Sequence, residues 1–247
     1  MYSGQPAAAK ELWRTPRNFY SVDREVSIAK RLKNLTHARI ASLLDQTWKP
    51  GQSDAIDLYI LYSPLSTSNF LALYKSKASL DTRTRLFTQV LEGIAFLHEN
   101  GITHRDIKPA NLTVRSYDPP DAQIIDFGCA TTETKTLYDR PGTIPYLAPE
   151  QRDGQYHDLS VDYWACALVG AELIGLKRNN ERIGDEGLKT IHSWLDQQNS
   201  NAVVKSCRAM LKVEPEGRMT AEKVLEEYLD PYRGDMKKGS KRALDAP

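Results

Sequence analysis

One short stretch of this 247-residue chain places several reactive side-chain types close together. The sequence His104-Arg-Asp-Ile-Lys-Pro-Ala-Asn111 contains a carboxylate at Asp106, an ammonium group at Lys108 and an amide at Asn111. In-line transfer of a phosphoryl group needs a carboxylate that accepts the proton of the attacking hydroxyl, a cation beside the transferred group and an oxygen ligand for a metal ion. An isolated Asp or Lys would more simply belong to a solvated turn. The combination favours a catalytic loop in which Asp106 and Lys108 are the catalytic residues.

A second carboxylate follows a predicted strand. Asp126 lies 15 residues after Asn111, in the sequence Ile124-Ile-Asp126-Phe-Gly128. An Asp at a strand end that faces a cleft can hold Mg²⁺ against phosphate groups, and Gly128 permits unusual backbone dihedral angles. The triplet alone could be an ordinary exit from a strand. Together with the upstream loop, it predicts Asn111 and Asp126 as metal ligands and cofactor-binding residues.

The hydrophobic pattern predicts the elements that must position these groups. A short apolar run, Leu58 to Tyr62, predicts a buried strand that stops at Ser63-Pro64, where we place a lobe boundary. Asp81 is the expected N-cap of a long helix, and Gly101 lies just past its end. The helical spacing of apolar residues predicts helices over residues 22–35, 80–99, 161–176, 189–197, 202–212 and 220–229.

The order of these elements indicates the fold class. Strands come early and helices late, which predicts an α+β protein with a mixed small lobe followed by a mainly helical large lobe. The helix over 161–176 is apolar nearly all round, so we expect it at the centre of the helical half. Thr220 is expected to open the last helix, with Lys223 where a capping box would carry Glu or Gln.

Five sequence features in this order resemble the eukaryotic-type protein kinase family. They are the His104–Asn111 loop, the Asp-Phe-Gly triplet at 126–128, Gly142-Thr-Ile-Pro-Tyr-Leu-Ala-Pro-Glu150, Asp162-Tyr-Trp164 and Arg218. The resemblance covers about Ala7 to Leu229. It implies a bilobal protein kinase-like fold with a reduced N-lobe sheet plus one helix and a mainly helical C-lobe. The expected divisions are a partial N-lobe at 1–64, a C-lobe at 65–230 and a basic disordered tail at 231–247.

The resemblance also implies roles for residues. The cofactors are ATP and Mg²⁺, with Asp106 as base, Lys108 steadying the γ-phosphate, and Asn111 and Asp126 holding metal. Lys108 and Thr143 resemble the serine/threonine branch, because tyrosine kinases usually differ at both positions. Glu150 of the Ala-Pro-Glu triplet is expected to form a structural ion pair with Arg218.

The first part of the chain departs from the family pattern. Before the first helix there is no glycine-rich GxGxxG sequence, which in the family covers the ATP phosphates. Ala8-Ala-Lys10 can be the end of the strand that carries the family's ATP-positioning lysine, with Glu25 as its partner. The alternative is that Lys10 and Glu25 are solvated charges on an N-terminally truncated lobe.

The remaining cofactor-binding expectations concern the link between the lobes. In this alignment Tyr62 is the gatekeeper, and Ser63 and Leu65 offer backbone groups to adenine. Cys129 can be a thiol near the nucleotide, although a small core residue is the simpler interpretation.

The 129–147 segment is a candidate target of an upstream activating kinase. Arg105 beside Asp106 resembles the class of kinases in which an arginine pairs with a phosphorylated activation segment. The candidate acceptors are Thr131, Thr132, Thr134, Thr136 and Tyr138, and each can equally be part of a polar loop.

Composition excludes several other classes of protein. Lys and Arg (33) nearly balance Asp and Glu (32), so no overall field favours nucleic acid or an anionic membrane as partner. The three cysteines fit neither a disulfide framework nor a zinc site. No signal peptide or membrane span is evident, so we expect an intracellular protein, cytoplasmic or nuclear, whose partner is a protein substrate.

Three functions remain open at this point. The first is ATP-dependent phosphorylation of protein Ser/Thr hydroxyls. The second is a catalytically impaired pseudokinase, or truncated kinase, that acts as a binding or scaffold module. A small-molecule kinase is disfavoured, because the Gly142–Glu150 segment and the Asp162–Trp164 helix resemble peptide-binding machinery.

Overall fold

A computed structural model describes residues 7–41, 43–50, 57–64, 68–136, 142–178 and 183–233. A small antiparallel sheet and one helix come first, and a larger helical part follows. The strands are β1 (Ala7–Arg14), β2 (Asp45–Pro50), β3 (Asp57–Pro64), β4 (Leu112–Tyr117) and β5 (Pro120–Ile124). The helices are α1 (Phe19–Asn34), α2 (Phe70–Lys75), α3 (Leu80–Glu99), α4 (Pro149–Arg152), α5 (Ser160–Leu173), α6 (Asp185–Gln197), α7 (Ala202–Met210) and α8 (Ala221–Val224).

The first sheet has the strand order β1-β3-β2, and all of its pairings are antiparallel. The predicted strand at 58–62 is confirmed, but it continues through Pro64, so the expected stop at Ser63 was wrong. Pro64 is tolerated because the pairing of β2 with β3 begins at Tyr62, which leaves Pro64 paired on one side only, opposite Ala7.

Helix α1 packs on this sheet and also reaches the main core. Leu12 of β1 forms a small apolar cluster with Val22 and Val26 of α1. Ile28 and Leu32, further along the helix, belong to the large core of the helical part. α1 therefore joins the two parts of the fold.

The predicted helices are confirmed with shifted ends. Ser79, not Asp81, is the N-cap of α3: its side chain accepts a hydrogen bond from the backbone N–H of Thr82, and Asp81 lies in the first turn. Gly101, just past the helix, has φ 63°, a value that suits glycine. The last predicted helix is α8 followed by a π-helical turn over Leu225–Leu229, and the Thr220 side chain caps it as expected.

Helix α5 is the centre of the helical part. Most of its side chains are buried, and Trp164 is 1% exposed. α5 packs against α7, and their neighbours complete one large core. The expectation of a buried central helix is confirmed.

The hairpin of β4 and β5 positions the candidate site. Asn111 lies directly before β4, and Asp126 lies two residues after β5. Leu112 pairs with Ile124 across the hairpin, so both residues are at the same end of this two-stranded sheet. The expected small lobe and helical large lobe are present. The two predicted metal ligands, Asn111 and Asp126, flank a hairpin that is separate from the first sheet.

Within the described residues, no helix is long and apolar enough to cross a membrane.

Candidate active site

The Asp106 carboxylate is held from three sides. Lys108 Nζ donates to Asp106 Oδ2 at 2.8 Å, and Asn111 Nδ2 donates to the same oxygen at 3.1 Å. Thr143 Oγ1 donates to Asp106 Oδ1 at 2.7 Å and lies 2.7 Å from Lys108 Nζ. The structure therefore brings the predicted catalytic pair, Asp106 and Lys108, together with Asn111 and Thr143.

The backbone of this loop is fixed by a buried acid. Asp162 of α5 accepts hydrogen bonds from the backbone N–H groups of His104 and Arg105, both at 2.8 Å, and pairs with His98 Nε2 at 2.8 Å. Burial raises the pKa of Asp162, but these contacts outweigh it and hold the pKa below its usual value. Arg105 has φ 66°, a left-handed value that is unfavourable for arginine, so these bonds hold a strained residue beside Asp106.

Asp162 belongs to the Asp162-Tyr-Trp164 feature but was not among the predicted site residues. One feature of the sequence could have identified Asp162: it is a carboxylate in a helix that is otherwise apolar nearly all round. A charge buried in such a helix needs strong partners. Its backbone partners lie more than 50 residues earlier in the chain, so spacing alone could not identify them.

Lys10 connects two acids across the small sheet and the hairpin. Its Nζ donates to Glu25 Oε1 at 2.6 Å and to Asp126 Oδ1 at 2.8 Å. Glu25 is buried on the inner face of α1. Lys10 and Glu25 are therefore paired, although the Lys10 side chain is 45% exposed. Lys10 lies within β1 rather than at its end, because the pairing with β3 continues to Arg14.

The contact shifts the pKa of both Lys10 and Asp126. Burial lowers the pKa of Lys10, but its bonds to Asp126 and Glu25 outweigh burial and raise the pKa above its usual value. Burial raises the pKa of Asp126, but the bond and charge of Lys10 hold it below its usual value. Both groups are therefore charged at neutral pH.

The unusual backbone angle in the 126–128 triplet is at Asp126, which has φ 63°, rather than at Gly128, where we expected it. At Gly128 a side chain would instead crowd the Lys10–Glu25 ion pair. A Cβ there would lie 3.0 Å from Lys10 Nζ and 3.2 Å from Glu25 Oε2. Glycine thus permits the close approach of the Lys10–Glu25 pair.

Two hydrogen bonds to the backbone of Ile125 join the segment of Asp126 to the loop of Asp106. Ile125 N–H donates to the Asn111 carbonyl at 3.0 Å, and His104 Nε2 lies 3.1 Å from the Ile125 carbonyl. The residue before Asp126 is thereby fixed to the loop that carries Asp106. The two predicted metal ligands are held on adjacent, mutually bonded segments.

The side chains suit a magnesium ion bound together with phosphate. Asn111 uses its amide nitrogen on Asp106, so its oxygen is the atom it can offer to a cation. Asp126 is charged and its side chain is 42% exposed. Mg²⁺ is typically held by one or two protein oxygens plus substrate phosphates. Among the described residues, no cluster of three or more His, Cys, Asp or Glu suggests a metal cage of another kind.

The predicted adenine contacts are only partly described. Tyr62 and Ser63 lie on β3, and Leu65 lies outside the described residues, so these roles stay predictions. Cys129 is partly buried, and burial together with the charge of Asp106 raises the pKa of its thiol. The thiol is therefore protonated at neutral pH.

The segment after the triplet is partly ordered by backbone pairing. Thr131 pairs with Thr103, and Thr136 pairs with His157, and both threonines are buried. Among the candidate phosphate acceptors, Thr132 and Thr134 are exposed, and Tyr138 lies outside the described residues. The geometry thus favours Thr132 and Thr134 over Thr131 and Thr136.

The expected structural ion pair is present. Arg218 Nη1 and Nη2 donate to Glu150 Oε1 and Oε2 at 2.6 and 2.8 Å, and the two side chains are 0% and 5% exposed. This bidentate pair fixes the segment from Gly142 to Glu150, which supplies Thr143.

Comparisons with known proteins agree with this geometry. A family model described as the protein kinase domain matches residues 3–229. The serine/threonine-protein kinase grp of Drosophila melanogaster is 34% identical over 160 residues, which are 58% of this chain and 30% of grp. The mitogen-activated protein kinase HOG1A of Wallemia ichthyophaga is 31% identical over 173 residues, which are 70% of this chain and 46% of HOG1A. This chain therefore spans less than half the length of these two relatives.

The chain belongs to the protein kinase domain family, in its eukaryotic form, and these relatives are named as serine/threonine or mitogen-activated protein kinases. Members of this family generally use ATP and a divalent metal ion and act on proteins.

Proposed function

We propose that this chain transfers the γ-phosphoryl group of ATP, with Mg²⁺, to serine and threonine hydroxyls of proteins. The observation that supports this most directly is the cluster in which Lys108, Asn111 and Thr143 all bond to the Asp106 carboxylate. Asp106, Lys108 and Asn111 are the groups that the reaction requires, and they are held in one place before substrate binds.

Each side chain in the cluster has a separate task. A carboxylate oxygen accepts more than one hydrogen bond, so Asp106 can still orient an incoming hydroxyl and accept its proton. Lys108 offsets negative charge on the transferred group. Thr143 fixes the carboxylate from the opposite side, which keeps its oxygens directed at the acceptor.

ATP is expected to approach from the small sheet. Lys10 neutralises phosphate oxygens and is itself oriented by Glu25, and the backbone of Ser63 and Leu65 holds adenine. Asn111 and Asp126 are the residues that would hold Mg²⁺, which supplies charge neutralisation on the phosphates. The Lys10 to Asp126 contact keeps these groups close together while no nucleotide is bound.

The proposed organisation follows from these roles. Residues 1–64 form the partial N-lobe and residues 65–230 the C-lobe, with a basic tail at 231–247. The partners are a protein substrate and an upstream kinase that acts on the 129–147 segment. Because the reaction consumes ATP, we place the protein inside the cell, in the cytoplasm or nucleus.

A second candidate is a binding module that holds Mg²⁺ and ATP without transfer. It is favoured by one feature, the lack of a GxGxxG sequence before α1. A small misplacement of the γ-phosphate can lower the rate by about 100-fold.

Product analysis tests the first candidate. The chain is incubated with labelled ATP and Mg²⁺, together with a generic basic protein, and the labelled protein is hydrolysed to its phosphoamino acids. We expect phosphoserine and phosphothreonine, and no label when EDTA removes the metal. Phosphotyrosine alone would contradict the serine/threonine assignment. Saturable binding of ATP with no labelled product would support the binding module.

A further inference from the structure

A buried arginine outside the candidate active site joins three elements. Arg39, in the segment after α1, is 9% exposed. Its Nε lies 3.1 Å from Glu92 Oε2 of α3, and its Nη1 lies 3.2 Å from Asp121 Oδ1 of β5. One guanidinium group therefore connects the end of the small lobe with two elements of the large lobe.

The α3 face beneath Arg39 is shaped for this contact. Gln89, Glu92 and Gly93 lie on one side of the helix, at the spacing that places side chains together. Gln89 accepts a hydrogen bond from Ala122 N–H at 2.7 Å and donates to the Pro120 carbonyl at 2.8 Å. A Cβ at Gly93 would lie 3.3 Å from the Arg39 backbone oxygen. α3 thus holds β5 through Gln89 and the Arg39 segment through Glu92.

The same segment is bonded to the strand that leads to Asp126. Ile124 N–H donates to the Arg39 carbonyl at 2.9 Å, and Ala41 N–H donates to the Ile124 carbonyl at 3.0 Å. The next residue, Ile125, is the one bonded to the Asn111 carbonyl. A continuous series of contacts therefore runs from Arg39 to both predicted metal ligands.

We propose that Arg39 is a positioning residue for phosphoryl transfer. Its charge, shared between Glu92 and Asp121, keeps the segment after α1 aligned with the end of β5. This alignment fixes the position of Asp126 relative to Asn111. It also fixes the position of Glu25 on α1, which in turn orients Lys10. The inference rests on the proposed function, since it concerns the same nucleotide and metal site.

The test variant must remove the Arg39–Glu92 ion pair without leaving either charge buried and unpaired. Arg39→Met alone leaves Glu92 without its guanidinium partner, so this single variant can fail to fold. Asp121 is not left unpaired, because Arg115 Nη2 lies 2.6 Å from Asp121 Oδ2. The double variant Arg39→Met/Glu92→Met replaces the buried pair with apolar side chains, a change that is often neutral for stability. The matched control replaces an exposed pair on α6, Glu186→Met/Lys189→Met, whose atoms are 2.7 Å apart.

Two readouts are measured on the full chain. The first is hydrogen exchange over residues 38–41 and 120–126, which needs no activity. The second is the affinity for Mg²⁺ and ATP, measured by calorimetry beside the transfer rate. We expect the double variant to unfold at nearly the wild-type temperature, to exchange faster in both segments and to bind Mg²⁺ in the presence of ATP about tenfold more weakly. The control variant should match the wild type. Arg39→Lys keeps a positive charge at this position, so its two segments should exchange more slowly than those of the double variant and faster than those of the wild type.

Wild-type exchange and wild-type Mg²⁺ affinity in the folded double variant would overturn the proposal. If the wild-type chain itself transfers no phosphate, the proposed function fails instead. The hydrogen-exchange measurement then decides the Arg39 inference. Slower or unchanged hydrogen exchange in the double variant refutes it, and faster hydrogen exchange confined to residues 38–41 and 120–126 supports it.

Discussion

Thr143 has two contacts that depend on its hydroxyl group. The hydroxyl donates to Asp106 Oδ1 and accepts from Lys108 Nζ, both at 2.7 Å. Thr143→Ala removes both contacts, so Asp106 Oδ1 loses this donor while Oδ2 keeps its bonds from Lys108 and Asn111. The carboxylate is then oriented less well, and we expect kcat to fall by about 10- to 100-fold. Thr143→Ser keeps the hydroxyl group and should retain most of the activity. Steady-state kinetics on both variants checks this.

The binding of ATP separates this effect from misfolding. The Thr143→Ala variant should bind Mg²⁺ and ATP as the wild type does, since neither predicted metal ligand is changed. Equal kcat values for the Ala and Ser variants would contradict a role of the hydroxyl group.

His37 makes stability depend on pH. Burial, and then the charge of Arg39, lower its pKa to about 4, whereas the unfolded chain has a pKa of about 6.5. Between these values the unfolded state binds a proton that the folded state does not, so the free energy of unfolding falls as the pH falls through this range. Above about pH 6.5 the contribution is fully present.

A variant without the titrating group tests this prediction. His37 is stacked on Phe96 with ring centroids 4.4 Å apart, and His37→Phe keeps an aromatic ring there. We expect the wild type to lose about 1 to 2 kcal/mol more than the variant between about pH 7 and pH 4.5, after allowing for solvent screening at a part-exposed ring. Denaturant unfolding at both pH values measures this, and parallel losses would exclude His37 as the source.

The residues closest in sequence were the easiest to predict. Asp106, Lys108 and Asn111 lie within six positions, so their identities and spacing together indicate one loop. Lys10 and Glu25 remained an open pair, because their contact depends on where β1 lies beside α1. Arg39 and Asp162 were not predicted as site residues, since their partners come from distant elements.

At the scale of elements, the Glu150–Arg218 pair holds the segment that supplies Thr143. Both side chains are nearly fully buried, so removing one partner leaves the other charge unpaired. We expect Arg218→Met to lower the free energy of unfolding by about 3 to 5 kcal/mol. Lys189→Met breaks an exposed pair on α6 and should change it by less than about 0.5 kcal/mol.

Denaturant unfolding of the two variants measures the difference. Similar small losses for Arg218→Met and Lys189→Met would show that the buried pair is dispensable for stability. A loss of activity in Arg218→Met without a loss of stability would show that the pair acts by positioning the segment that supplies Thr143 rather than by stabilising the fold.

The long helices were predictable because apolar residues recur at the helical period over many turns. Their ends were less predictable. Ser79 and Asp81 are both good N-cap residues two positions apart, and only the observed bond from Thr82 N–H identifies Ser79. The short strand β2 was missed, because its six residues, Asp45–Pro50, carry no continuous apolar run. Tertiary pairing with β3 determines it.

At the scale of the whole molecule, the candidate site is divided between two parts of the fold. The small sheet and α1 supply Lys10 and Glu25, whereas the loop before β4 and the end of β5 supply the remaining groups. The order of elements predicted this division, but the contacts that align its two sides are specific to the folded chain. The proposed activity depends on that alignment.

Phosphate transfer in a single turnover tests the central claim most directly. Excess chain is mixed with labelled ATP, Mg²⁺ and a basic protein substrate, and wild type is compared with Asp106→Asn and with Asp185→Asn, an equivalent change in the exposed first turn of α6. The account predicts transfer by the wild type and by Asp185→Asn, and a loss of at least about 100-fold for Asp106→Asn. Equal transfer by all three proteins, or none by the wild type, would contradict it.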